Sequence, residues 1–399
     1  MISIITPTNN LTYLPDVYQT LKEQTYSDWE WIIVPNGGIR EVQDFHDPRV
    51  KVYPFVIDVG RVGALKYVAS TYAQGEILLE LDHDDYLTPD CLAEVKQAFE
   101  TGADMVYSNF ASVTPNWENR IWDAYYGWEY RDFNYKGHQI KEVISPPPTP
   151  SNLSRIWFAP NHVRAWNKDF YFRIGGYDQS MKISDDHDLM CRSYINGTIK
   201  HIDKCLYIYR VHGNNTWLQN QDEIQVTMWQ NYDKYIFPMI EKTDGRKIDL
   251  CGGIDKPQGY ESIDLYGGDI TADLNDTWPL EDNSISVLRA HDAIEHLKDP
   301  IHTMNEAYRV LKHGGFFMIL VPSSEGVGAF CDPTHVSFWN KRSFRYYTEK
   351  NMRRYLEPKC QCKFQVMKLE NTTRWEGVPY VEAHLIAIKE GRFHGAFDW

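Results

Sequence analysis

Three aspartates within four residues, Asp82-His83-Asp84-Asp85, follow the apolar run Ile77-Leu78-Leu79-Glu80-Leu81. Carboxylates two residues apart on a sharp turn can converge on one hard divalent cation, which can in turn bridge two phosphates of a ligand. The same residues suit a solvated acidic turn that caps the next helix. A calcium loop of the helix-loop-helix type is a poor alternative, because its sixth and twelfth positions would fall on Leu87 and Ala93 instead of glycine and glutamate. A second acidic group, Ser184-Asp185-Asp186-His187-Asp188-Leu189, has the pattern of a helix start whose acids complement the dipole. Farther on, Cys251-Gly252-Gly253 follows Ile248-Asp249-Leu250 and precedes Asp264, Asp273 and His291. It is neither a GxGxxG nor a P-loop, but an acid at the next strand end can accept two hydrogen bonds from ribose hydroxyls, so a nucleoside cofactor fits.

These groups need elements to carry them, and two βα series supply them. Ile2 to Ile5 reads as a short buried strand before a turn at Pro7-Thr8-Asn9. Leu14, Val17, Tyr18 and Leu21 recur at helical spacing, and Trp31 to Val34 forms a strand stopped by Asn36-Gly37-Gly38. The strand at Ile77 to Leu81 delivers the acidic loop, after which Thr88 as N-cap and Pro89 in the first turn start a helix through Phe99. Residues 111 to 165, rich in Trp, Tyr, Asn and Pro and containing Ser145-Pro-Pro-Pro-Thr-Pro150, read as an elaborated loop region. The polar stretch 238 to 247 marks a domain boundary. The second series opens at Ile248; a helix from about Ile301 to Lys312 is closed by Gly314-Gly315, and Phe316 to Val321 forms the next strand.

A chain of 399 residues, 43% hydrophobic and 24% charged, can bury two sizeable cores, which excludes a miniprotein or a disordered tract. Its 41 basic and 55 acidic side chains leave a net charge of −14, which disfavours general binding to nucleic acid or anionic lipid. Any phosphate in a ligand needs local help. The first residues lack the basic start and apolar run of a secretion signal, and no stretch reaches the roughly 20 apolar residues that cross a bilayer, so a cytoplasmic location is expected. Seven cysteines, with Cys360-Gln-Cys362 the one close pair, carry no metal-ligand spacing and read as reduced thiols.

The first domain resembles the family-2 glycosyltransferases with a GT-A fold. The resemblance rests on IITPTNN (4–10), QTYSDWEWIIVPNGG (24–38), GALKYVASTYAQGEILLELDHDDYLTPD (63–90), FRIGGYD (172–178), SDDHDL (184–189) and YRVH (209–212), in that order. It implies that Asp82 and Asp84 coordinate Mn2+ or Mg2+ on a nucleotide-sugar diphosphate and that His212 adds a ligand. It also implies that Pro7, Thr8 and Asn36 cup the nucleoside and that Arg61 and Lys66 lie near the nucleotide, although the family usually has aspartate near Asn36. Inverting transfer needs one base for the acceptor hydroxyl; Asp186 matches that position, with Asp185 second. Asn161, His162, Arg164 and Trp166 can border the acceptor, and Trp117, Trp122, Tyr125, Tyr126, Trp128 and Tyr130 can stack on sugars or anchor their own segment.

From about Lys247 onward the chain resembles the class I S-adenosylmethionine-dependent methyltransferases, through IDLCGGIDKPQGYESIDL (248–265), ADLNDTWPLEDNSISVLRAHDAIEHL (272–297), AYRVLKHGGFFMILVP (307–322) and DPTHVSFW (332–339). On that resemblance Cys251, Gly252 and Gly253 face the methionine portion, Asp264 holds the ribose and Asp273 lies near the adenine. The first motif departs from the family, with Cys-Gly-Gly in place of Gly-x-Gly. Transfer to a neutral alcohol needs a base or metal near the acceptor, for which His291, His296, Asp332 and His335 are candidates.

The expected molecule is α/β throughout: a GT-A nucleotide-diphospho-sugar transferase domain over 1–240, then a Rossmann-like class I methyltransferase domain over 247–399. It is expected to be a hexosyltransferase-type enzyme that takes a nucleotide-sugar donor, foremost a UDP-sugar, and a glycan acceptor, and that O-methylates the glycan with S-adenosyl-L-methionine. Joining the two sites raises the local concentration of the second for the product of the first. A methyltransferase-like domain without catalysis, or a carbohydrate-binding scaffold, are the alternatives. A nucleotidyltransferase should carry a glycine-rich basic loop near its first strand, and Pro7-Thr8-Asn9-Asn10 is not one.

Overall fold

The computed structural model describes residues 1–53, 60–122, 127–213, 215–374 and 377–389. Two compact units result, the first holding nearly all of residues 1–239 and the second the chain from Ile240 onward.

The first unit is built on a ten-stranded sheet. Its strands are β1 (Ile2–Thr8), β2 (Trp29–Pro35), β3 (Val50–Val52), β4 (Ile77–Glu80), β5 (Tyr86–Leu87), β6 (Met105–Val113), β7 (Tyr130–Tyr135), β8 (His138–Val143), β9 (Arg164–Asn167) and β10 (Ile199–Arg210). The order is β3-β2-β1-β4-β9-β6-β10-β5, with the β7–β8 hairpin attached through β8 to β6. β1, β2 and β4 are buried along their whole length, which explains why they read as continuous apolar runs. The order turns round at β1, with β2 on one side and β4 on the other, both parallel to it. In such a sheet the crevice past the carboxyl ends of the strands at the switch receives ligands, and there Thr8 ends β1 and Glu80 ends β4. β9 runs antiparallel to β4, pairing Ile77 with Asn167 and Leu79 with Ala165, so Arg164 arrives beside Glu80 at the same rim.

Three local expectations change. The helix after the acidic loop spans Cys91–Phe99 and starts later than Thr88, because Tyr86 and Leu87 pair with β10 and the Thr88 N–H donates to Leu206 O, drawing residue 88 to the sheet edge. Residues 111–165 hold the β7–β8 hairpin and β9 instead of loop alone. The hairpin turns on Lys136 and Gly137, both at positive φ, and β7 is largely exposed, so its sequence lacks the apolar alternation of a half-buried strand. The stretch beginning at Pro238 is helical, since the helix Gln221–Lys242 runs through that proline with Met239 and Ile240 buried.

The second unit's seven strands are β11 (Arg246–Leu250), β12 (Glu261–Asp264), β13 (Ile270–Thr271), β14 (Ile285–His291), β15 (Leu311–Pro322), β16 (Phe364–Arg374) and β17 (Val378–Ala387). The order is β13-β12-β11-β14-β15-β17-β16; the first five are parallel and β17 runs antiparallel to both neighbours. Again the order turns round at a central strand, β11, and Cys251 and His291 mark the carboxyl ends on either side of that switch. The expected helix to Lys312 ends at Val310, because Leu311 already pairs with Ile285 and the register break before Phe316 absorbs Gly314 and Gly315 into β15. Among the described residues no helix is long and apolar enough to cross a membrane.

Candidate functional site

The acidic loop leaves β4 with its three aspartates doing different jobs. Asp85 is fully buried; one oxygen accepts the Tyr207 hydroxyl at 2.7 Å and the other the Arg210 N–H at 2.7 Å, both from β10. The same Tyr207 hydroxyl accepts the Asp82 N–H at 3.2 Å. The third acid is thus a structural tie, and Asp82 and Asp84 are left to face a cavity of about 560 Å3. His212, two residues past the end of β10, places Nε2 2.7 Å from Asp84 Oδ2. Lys66, on the helix Val62–Tyr72, lies 3.5 Å from Asp82 Oδ1 and 3.6 Å from Glu80 Oε2.

The second acidic group reaches the same cavity from the opposite side in sequence. Ser184, at φ 56°, turns the chain into the helix Asp185–Asn196, whose first turn carries Asp185, Asp186 and Asp188. Asp188 points inward to Arg192, Lys234 and Tyr235, and His187 is held by Leu153 O and Asn231, so both are structural. Asp186 faces the cavity and receives Arg164 Nη1 at 2.9 Å and the His187 N–H at 2.8 Å. Asp185 lies against Gly63, where a Cβ would come within 2.5 Å of its Oδ2, so only glycine leaves it room.

Buried charges link the two groups. Lys66 and Arg164 are surrounded by the carboxyls of Glu80, Asp82, Asp185 and Asp186. Burial opposes ionisation of Asp82 and Asp186, but the neighbouring cations outweigh it and hold both below the usual carboxylate range. Burial pushes Glu80 up, and burial with the charge of Asp186 pushes Asp185 to about 7. His162, stacked on Tyr207, is pushed down to about 3 by burial and by Arg164, so it is neutral near pH 7. Two cations therefore face four carboxyls before Asp84 is counted. Among the described residues, neither oxygen of Glu80 nor Nδ1 of His162 has a hydrogen bond. A further cation relieves such a cluster, and two carboxylates with an imidazole are a donor set suited to Mn2+ or Mg2+.

Of the other first-unit candidates, Pro7 and Asn36 line the cavity. Thr8 is buried and gives its hydroxyl to Asn10 O, so it shapes the turn without reaching the space. Arg61 is exposed, donates to Gln179 O and lies outside the lining. Asn161, His162 and Arg164 line the cavity, whereas Trp166 is buried in the core. Trp122 lines it with Phe158, while Trp117 stacks on His138 and Tyr86 and Tyr130 bonds the Trp122 backbone, which makes these two anchors. Tyr125 and Tyr126 lie outside the described residues. Glu80 and Gly63 were missed; a carboxylate interrupting an otherwise apolar central strand was the available signal for the first.

In the second unit, Cys251 and Gly253 both sit at positive φ, and a Cβ on Gly252 would collide with the Asp249 carboxylate. The turn is held to β12 by the Gly253 N–H donating to Asp264 Oδ2 at 3.0 Å, while Asp264 Oδ1 accepts the Tyr266 N–H at 3.0 Å. This close backbone cradle joined to an acid at the next strand end fits a nucleoside cofactor such as S-adenosylmethionine. Asp273 is exposed and caps its own turn through Asn275. His291 contacts Arg289, itself paired with Asp249 at 2.7 Å, and burial with that guanidinium pushes it down to about 3, which makes it a weak proton acceptor. His335 packs edge to face on His296, with Nε2 3.9 Å from Glu295 Oε1. Glu295, which the sequence reading did not single out, is 2% exposed, and burial pushes it to about 7.

Residues 3–153 match the model of glycosyl transferase family 2, and residues 256–319 match that of a methyltransferase domain. A chondroitin synthase of Pasteurella multocida is 22% identical over 231 residues, 56% of this chain and 22% of that protein. The O-antigen biosynthesis glycosyltransferase WbnJ of Escherichia coli is 24% identical over 228 residues, 54% of this chain and 82% of that protein. The chain spans under a third of the length of the chondroitin synthases it matches. S. aureus TarS 1–349 in complex with UDP-GlcNAc superposes with a TM-score of 0.43 at 17% identity, over 61% of this chain and 67% of that one. The two family matches fall on successive segments of one polypeptide, the match to glycosyl transferase family 2 in its amino-terminal part and the match to a methyltransferase domain farther on.

Proposed function

We propose that the first unit is a metal-dependent, inverting glycosyltransferase that moves a sugar from a nucleotide-sugar donor, a UDP-sugar, to a glycan hydroxyl. The second unit then methylates an oxygen of the same glycan with S-adenosylmethionine. The observation that carries the first half is the meeting of two acidic groups about a hundred residues apart on one cavity, Asp82 and Asp84 with His212, and Asp185 with Asp186. The names of the relatives, synthases and glycosyltransferases of polysaccharides, support a glycan product.

Asp82, Asp84 and His212 would hold Mn2+ or Mg2+, which when bound supplies charge neutralisation for the departing diphosphate. Pro7 and Asn36 contact the nucleoside end, and Lys66 adds a buried positive charge beside Asp82. The acceptor oxygen attacks the sugar's anomeric carbon from the face opposite the diphosphate, forming the new C–O bond as the old one breaks. Asp186 takes the hydroxyl proton, and Arg164 keeps Asp186 ionised and fixes its direction. A second reading gives the proton to Asp185, favoured by its carboxyl being pushed to about 7. In the second unit the Cys251-Gly252-Gly253 turn and Asp264 would hold S-adenosylmethionine, which supplies the methyl of its sulfonium, with Asp273 at the adenine end and His291 and His335 at the acceptor side.

The test is thermal shift of the full chain with UDP, UDP-sugars and S-adenosylmethionine, with and without Mn2+. Ligands that bind only the folded state raise the melting point by mass action. Asp84→Ala should lose the Mn2+-dependent nucleotide shift and keep the shift from S-adenosylmethionine. Nucleotide binding indifferent to both metal and Asp84 would sink the reading.

A further inference from the structure

A buried carboxylate with no hydrogen bond at either oxygen is costly unless a cation compensates it. Glu295 is close to that state: it is 2% exposed, and among the described residues neither Oε atom makes a full hydrogen bond, only weak backbone approaches at residues 293 and 295 reaching the carboxylate. It sits in the short turn Ile294–His296, just past the carboxyl end of β14. Two imidazoles converge on it, His296 from the next position and His335 from the segment after the turn Gly328–Cys331. One ligand-capable atom of each of the three lies within 4.8 Å of the others.

The rest of the arrangement fixes both rings. His335 Nδ1 lies 3.0 Å from Ala329 O, and His296 Nδ1 lies 3.3 Å from Thr334 O and 3.0 Å from the Thr334 hydroxyl. A carbonyl can only accept, so these contacts put the ring proton on Nδ1 and leave the lone pair on Nε2. For His335 that lone pair then stands 3.9 Å from Glu295 Oε1 and 4.0 Å from Asp332 Oδ2. A lone pair facing carboxylate oxygens is repulsive unless something positive lies between them. Backbone carbonyls that orient a ring through its other nitrogen are the usual outer support of metal-binding histidines. The two segments are also locked together, since the N–H groups of Val336 and Ser337 both donate to Glu295 O and the Ser337 hydroxyl donates to Ile294 O.

We propose that Glu295, His296 and His335 bind a divalent transition-metal ion of the zinc class. Two imidazoles and one carboxylate are the three-ligand set that leaves a fourth position open, here for an oxygen of the second unit's ligand. His335 is then a ligand and not a base. Identifying that oxygen as the methyl acceptor's hydroxyl rests on the methyltransferase reading; the metal site does not.

The test uses the full chain carrying Asp84→Ala, so that the first unit's candidate ion site does not contribute. After chelator treatment and dialysis, Zn2+ and Co2+ binding are measured by metal analysis and by the visible absorption of bound Co2+. About one equivalent is expected, with Co2+ bands of a low-coordinate nitrogen and oxygen site. Glu295→Gln and His335→Ala should each weaken binding by more than about 100-fold, beyond what loss of an outer partner costs. In chelator, Glu295→Gln should melt no lower than its parent, because it removes an uncompensated buried charge; Zn2+ should raise the parent's melting point and not the variant's. His296→Ala, at a partly exposed position, serves if either variant fails to fold. Absence of stoichiometric metal in the parent, or equal binding by the variants, would overturn the site. The S-adenosylmethionine shift, read separately in metal-free protein, reports on the methyltransferase reading alone.

Discussion

The two candidate sites occupy the same place in their sheets, past the carboxyl ends of the strands where the order turns round, yet they are made of different material. In the first unit the rim is built from charged side chains, Lys66, Glu80, Asp82, Arg164 and Asp186, most of them buried and each held by another. In the second unit the corresponding rim is built from backbone, with Cys251, Gly252 and Gly253 folded close against Asp249 and Asp264. A site made of side-chain charge should fail through chemistry when one residue changes. A site made of backbone should fail through shape.

The sharpest way to break this contrast is to remove charge. Asp84→Ala should lower glycosyl transfer by about a thousandfold or more, the equivalent of several kcal/mol of leaving-group stabilisation, in steady-state assays with Mn2+. Undiminished turnover would refute the charged-rim account. Asp186→Asn should cost on the order of several hundredfold in kcat, within the range for a lost general base; if Asp185→Asn is the more damaging of the two, the base is Asp185. Gly63→Ala tests shape inside the charged site. Alanine is the better helix former by roughly 1 kcal/mol, so the melting point should hold, while displacement of Asp185 lowers kcat by about ten- to a hundredfold. Gly252→Ala is its counterpart in the second unit and should weaken S-adenosylmethionine by about tenfold in calorimetry, from overpacking against Asp249, with nucleotide binding unchanged. Arg61→Ala should change either activity by less than about twofold, since Arg61 is exposed and, among the described residues, bonds a carbonyl at the surface.

How far the sequence could be read follows from the same physics. β1, β2 and β4 were legible because strands buried on both faces must be apolar throughout. The acidic residues were legible because they interrupt that pattern at strand ends. The β7–β8 hairpin was not, because an exposed edge carries no alternation to detect. The buried tie made by Asp85 was not, because Asp82, Asp84 and Asp85 differ only in what β10 brings to them. Arg164 could be placed near the acceptor, but its pairing with Asp186 and Glu80 depends on β9 running antiparallel to β4, a register that no local pattern announces. In the second unit Glu295 read as one acid among several, since its isolation follows from burial.

Asp85 has a consequence for how the first site would be filled. By grasping Tyr207 and Arg210 it fastens the acidic loop to the strand that leads into His212. The spacing between Asp84 and that imidazole is therefore set during folding, and an arriving ion would find its seat already shaped. Little ordering entropy is left to spend at that moment. Cutting the clasp with Asp85→Leu should turn a ready-made socket into a floppy one, with slower capture of the ion even though every atom that touches it is still present.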